Sequence, residues 1–124
     1  MNSGTLTSLL RSNVLDIRFM RRRPRPGVAP TRRMLCTLDE SILNSVNGRT
    51  VLNYLPPAGG SPPYTTQNKN LALAWDILMQ DFRMISAESV TIVEQFPGND
   101  TFWEYFNTNI MPMDVDAKSQ FMNS

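Results

Sequence analysis

Arginine dominates the chemistry available at the start of this chain. Up to Arg33 there are eight arginines (Arg11, Arg18, Arg21, Arg22, Arg23, Arg25, Arg32 and Arg33) against a single acid, Asp16. A guanidinium pairs phosphate oxygens through a planar fork and stacks on bases, so Arg18, Arg21, Arg22, Arg23, Arg25, Arg32 and Arg33 are candidates to grip a nucleic-acid backbone or an acidic protein surface. From Met34 onward ten acids face only Arg49, Lys69, Arg83 and Lys118. The net charge of +1 is therefore the sum of about +7 and −6, and that division points to a charged partner.

Other chemistries lack their parts. With no histidine, the chain has no usual general base and lacks the commonest metal ligand. Cys36 alternates with Met34 and Leu38 and has no activating base, so it reads as a small buried hydrophobe; a lone cysteine also forms no internal disulfide. Asp76 and Asp81 flank a turn, where capping or pairing with Arg83 explains them better than a cation does. Gly59-Gly60 lacks the lysine and helix of a phosphate-binding loop. The reading is a non-enzyme with no catalytic residues, no metal and no cofactor.

Composition bounds the rest. At 41% hydrophobic and 19% charged residues the chain is ordinary globular material rather than disordered. No apolar run is long enough to cross a bilayer, and Met1-Asn2-Ser3-Gly4 lacks the basic-then-apolar order of a secretory leader, so neither a membrane nor a leader is expected.

The elements that must hold the arginines follow from periodicity. Thr5 to Leu10 predicts a short N-terminal helix with Leu6, Leu9 and Leu10 on one side. Val14 to Met20 alternates as a half-buried strand does, and Arg33 to Leu38 restarts the pattern. Between them Pro24, Pro26, Gly27 and Pro30 make a long basic hairpin loop, residues 20–33. Asp39 caps one helical turn ended by Asn47-Gly48. Residues 54–70 form a Pro/Gly-rich loop, and Leu71–Asp76, Phe82–Ile85 and Val90–Glu94 supply three more short strands. In the tail, Thr101 and Glu104 fit a capping box ahead of a stripe of Phe102, Trp103, Phe106 and Ile110; Pro112 ends that helix and residues 114–122 make another. The expected fold is mainly β, a small five-stranded, partly open barrel over residues 1–95. A short helix precedes it, and residues 96–124 form a C-terminal helical extension packed on the barrel or on a partner.

The ordered set of a leucine pair, Val14-Leu15-Asp16-Ile17-Arg18-Phe19, the basic hairpin and Arg33-Met34-Leu35-Cys36-Thr37-Leu38 resembles a family. So do Leu73-Ala74-Trp75-Asp76, Phe82-Arg83 and Ser89-Val90-Thr91-Ile92. The chain is similar over about residues 9–95 to the small phage-encoded WYL-like group, described as Sm-like or SH3-like β-barrels. Three features depart from that group: the arginine–proline loop replaces a short turn, the insertion at 47–70 is long, and Phe82 stands where tryptophan is expected. The resemblance implies an Sm/SH3-like fold and a phage protein working in the host cytoplasm during infection, with incorporation in the virion as an alternative. It implies nucleic-acid or nucleotide ligands only by analogy of fold.

Two functions compete. The preferred one is a phage accessory protein that binds nucleic acid, or a nucleoprotein machine, through the arginine-rich hairpin. The alternative is a structural or assembly protein of the phage particle, a homo-oligomer or a partner of other proteins. In it, Tyr54, Tyr64, Phe102, Trp103, Phe106 and Phe121 dock a neighbour while the acidic tail meets another copy's basic loop.

Overall fold

The computed structural model describes residues 1–57 and 70–124. Helix α1 (Ser3–Ser12) starts at Asn2, whose side chain accepts the Thr5 backbone N–H at 2.8 Å. Its Leu6 and Leu10, one turn apart, are fully buried. Strands β1 (Val14–Met20) and β2 (Thr31–Thr37) then pair antiparallel along their full lengths, from Val14 opposite Thr37 to Met20 opposite Thr31. The second strand begins two residues before its apolar pattern does. Thr31 and Arg32 carry no apolar alternation to mark them, yet their backbones complete the ladder opposite Met20 and Phe19.

The expected single helical turn is two short helices. Asp39 caps α2 (Glu40–Leu43), and Ser45 caps α3 (Val46–Thr50) by accepting the Gly48 N–H at 3.0 Å. Asn47-Gly48 lies inside α3 instead of ending a helix. Glycine is needed there because a Cβ would run into the backbone carbonyls of Ile42 and Leu43.

Strands β3 (Leu71–Asp76), β4 (Asp81–Ser86) and β5 (Thr91–Phe96) complete one five-stranded antiparallel sheet in the order β4-β3-β2-β1-β5. A single 3₁₀ turn, Ala87–Ser89, joins β4 to β5. The sheet is not closed. Its β2–β3 seam consists of only Cys36 opposite Asp76 and Thr37 opposite Trp75, so Thr31–Met34 of β2 run on past the end of β3.

Both faces of the sheet are covered, which is why all six residues of β3 are buried. On one side Leu15, Ile17, Phe19, Met34, Cys36, Ala74 and Ile85 pack against Leu6 and Leu10 of α1. On the other, Val14, Leu35, Trp75 and Phe96 meet Ile42, Leu43 and Leu52, together with the C-terminal helices. Those are α4 (Asn99–Tyr105), which continues through a π-helical turn at Phe106–Ile110, and α5 (Val115–Met122), capped by Asp114. The capping box is not used: α4 begins at Asn99 after Gly98, with no side-chain cap, so Thr101 lies within the helix. Phe102 is fully buried, worth about 2–3 kcal/mol of transfer free energy.

Gly48→Ala is expected to destabilise the fold by about 1–3 kcal/mol, the usual cost of overpacking, because the obstructing atoms are backbone. Urea midpoints of the two proteins measure it, and an unchanged midpoint would mean that α2 and α3 do not cross this closely.

Candidate nucleic-acid interface

The hairpin divides its arginines into two kinds. Arg32 and Arg33, adjacent on β2, each hold a fully buried carboxylate. Arg33 donates from Nε and Nη2 to the two oxygens of Asp16 at 2.9 and 2.6 Å, a forked pair that also holds the ring of Phe121 4.3 Å from the guanidinium carbon. The Asp16 hydrogen bonds push the Arg33 guanidinium above its already high pKa, against the opposing effect of burial. Arg32 bonds to Asp76 through Nη2, while the other Asp76 oxygen accepts the Met79 N–H at 3.2 Å across the β3–β4 turn.

Two more arginines reach the end of α5. Arg18 Nε donates to the Ser124 backbone oxygen at 3.1 Å, and Arg21 donates to Asn123 Oδ1 at 3.1 Å and to the Ala29 carbonyl at 2.9 Å. Cations suit a helix C-terminus, where backbone carbonyls lack intrahelical partners. Arg21 is itself held below its ordinary pKa by burial first, then by Arg32 and Arg25 nearby. Positive charge is crowded here.

Arg22, Arg23 and Arg25 differ. They are exposed, and among the described residues their side chains make no hydrogen bond or ion pair. Gly27, at φ +77°, turns the loop, and Val28 N–H donates back to the Arg25 carbonyl at 3.2 Å. Beside this tip lies an open groove of about 550 Å³ lined by Arg21, Arg22, Arg23, Arg32 and Arg83, with Phe19, Phe82 and Met84 as its apolar part. Arg83 sits in the acidic part of the chain and was absent from the sequence candidates. Only the fold, by setting β4 against the hairpin, brings it here. Its contact with Asp81 at 3.0 Å is an exposed pair of the kind that contributes little.

The expected docking aromatics are placed differently from that expectation. Phe102, Phe106 and Phe121 fill the core beneath the sheet, and Trp103 packs half-buried on Phe102 and Phe106 at 4.9 and 5.6 Å between ring centres. Tyr54 is also buried, edge-on to Trp75 at 5.1 Å and to Phe82 at 6.1 Å. Their area goes to the chain's own interior because the tail folds back across β1 and β2. Tyr64 lies outside the described residues. Cys36 is buried, and burial, followed by Asp76 and Asp16, pushes its thiol far above the ordinary range. Among the described residues no helix is long and apolar enough to cross a membrane.

No family model, curated protein or solved structure matches the chain.

Asp16→Ala is expected to cost about 2–4 kcal/mol, because it leaves the Arg33 guanidinium partly desolvated without its acceptor, whereas Arg22→Ala should stay within about 0.5 kcal/mol. Equal urea midpoints for the two variants would contradict the division into anchoring and tip arginines. Stability should also fall at alkaline pH. Cys36, Tyr54 and Tyr105 all have folded pKa values raised, mainly by burial, above ordinary values of 9.0, 10.0 and 10.0. The unfolded chain loses these protons first, so their contribution is complete below pH 9 and declines as pH climbs beyond it. A urea midpoint unchanged between neutral pH and pH above about 10 would be inconsistent with those shifts.

Proposed function

We propose that this protein is a phage accessory factor that binds nucleic acid, directly or within a nucleoprotein machine, through the tip of its arginine-rich hairpin. The observation that carries the reading is the contrast within one loop: Arg18, Arg21, Arg32 and Arg33 are tied to the body, while Arg22, Arg23 and Arg25 project without protein partners among the described residues. Exposed like charges held together repel one another, and a polyanion relieves that repulsion. Phosphates accept guanidinium forks without requiring a particular base sequence, so binding of this kind is tuned mainly by salt.

The finer fold reading is an Sm/SH3-like, partly open barrel. It is supported by a helix ahead of the sheet, the order β4-β3-β2-β1-β5 and the single 3₁₀ turn between β4 and β5. Phage origin and action in the host cytoplasm rest on the resemblance of residues 9–95 to the WYL-like group. The assembly reading is weaker because Phe102, Phe106 and Phe121, which would have docked a neighbour, are spent on the chain's own core.

Anisotropy titrations of labelled single- and double-stranded DNA and RNA across a salt series test the reading. Three tip arginines on phosphates predict a log–log slope of about −2 to −3, shallower than six free arginines would produce. Replacing Arg22, Arg23 and Arg25 together by alanine should abolish binding with the urea midpoint unchanged. No binding to any of the four at low salt would overturn the proposal.

A further inference from the structure

The groove beside the tip says which part of a nucleic acid this protein would hold. We infer that it takes the phosphorylated end of a single strand, the terminal phosphate among Arg21, Arg22, Arg23 and Arg83 and the terminal nucleotide over Phe19, Phe82 and Met84; this rests on the nucleic-acid reading above.

Three observations lead there. The first is size. About 550 Å³ falls within the range of small-ligand sites and gives room for a nucleotide or two. The second is charge density. Of the five lining arginines, Arg32 is neutralised by buried Asp76 and Arg83 shares its charge with exposed Asp81, while among the described residues Arg21 is bound only by neutral acceptors and Arg22 and Arg23 by none. A phosphodiester within a chain brings one negative charge per nucleotide, whereas a terminal phosphate carries about −1.5 to −2 and three acceptor oxygens. Arg22 and Arg23, with Arg21 held only by neutral acceptors, keep their charge available around a space of a nucleotide or two, which matches the terminal group better than the internal link. With Arg83 added, the lining charges come from two directions, the hairpin and β4, as a group with several free oxygens requires.

The third observation is the apolar lining. A groove that only tracked a phosphate backbone would need no hydrophobic floor. Phe82 is half-buried, its ring edge-on to Trp75 at 5.2 Å and fixed from behind by Tyr54. An aromatic side chain so braced is a platform on which any base can stack. Arg25 does not line the groove, although it belongs to the same exposed tip. That separation allows the end-binding idea to be tested apart from the general grip of the hairpin.

The experiment uses the full chain and short single-stranded DNA and RNA bearing a 5′-phosphate, a 3′-phosphate or hydroxyls at both ends, with the dye placed internally. A phosphate at one end should tighten binding about tenfold or more, and comparison of the 5′ and 3′ forms identifies which end is held. Arg83→Gln, and separately Arg22→Ala with Arg23→Ala, should erase that preference; Arg25→Ala should weaken all the oligonucleotides alike and keep it. Thermal midpoints of these surface variants should match the parent. Equal affinity with and without a terminal phosphate overturns the inference while leaving the hairpin reading intact, and failure of every oligonucleotide to bind removes both. A preference that survives Arg83→Gln at full strength also overturns it, because the phosphate would then lie elsewhere.

Discussion

Asp16 and Asp76 have no exposed surface, and an ionised carboxylate in such a place costs several kcal/mol unless another charge answers it. Arg33 and Arg32 supply the answer from adjacent positions on one strand. The first pair ties β2 to the neighbouring β1 and, through the stacked ring of Phe121, to the last helix. The second ties β2 to the end of β3, where the ladder between those strands has only two residue pairs. The sheet is thus held together electrostatically at the place where its backbone pairing is weakest. That choice has a consequence for the hairpin, whose returning limb is pinned on both sides.

A loop of ten residues with three prolines has few backbone donors to stiffen it, and beyond the Val28-to-Arg25 bond at its tip its stiffness comes from its ends. Here the ends are well held. Arg21 N–H donates to the Pro30 carbonyl at 2.9 Å, its side chain reaches Ala29 and Asn123, and Arg32 follows immediately on the other limb. What projects beyond is short, and its like charges cannot retreat into the body. Rigid support beneath a charged tip lowers the ordering cost of binding, since the supporting residues are already immobilised in the unbound protein.

Much of this architecture is written locally. Alternation at Leu15, Ile17 and Phe19, the cap at Asp39, and the small–large alternation of Leu71–Asp76 are short-range signals, and the elements they mark stand where those signals place them. Long-range facts are not written this way. Nothing near Phe121 in the chain says that its ring will lie against Arg33, so an aromatic tail reads as a docking surface until its packing is seen. Gly48 is ambiguous for the same reason: Asn-Gly ends many helices, and only the carbonyls of the preceding helix make glycine necessary within α3. Arg83 is the converse case, an unremarkable residue of an acidic segment that the β3–β4 hairpin carries to the arginine groove.

The charge division of the chain therefore has two parts that only the fold separates. Some of the N-terminal positive charge is consumed internally, Arg33 by Asp16 and Arg32 by Asp76, and this gives the one acid of the basic N-terminal third its role. The remainder is concentrated at Arg21, Arg22, Arg23 and Arg25, while Asp100, Glu104, Asp114 and Asp116 belong to the C-terminal helical segments. If the acids existed to neutralise the hairpin, Asp114 and Asp116 should form ion pairs with it across the α5 contact. They do not: the end of α5 meets the groove arginines Arg21 and Arg32 through Asn123 Oδ1 and Met122 Sδ, both neutral acceptors. A neutral acceptor positions a guanidinium without cancelling its charge, so the field at the groove survives folding. Anchoring without neutralisation is what an anion site requires, and here the same helix end that completes the core provides it.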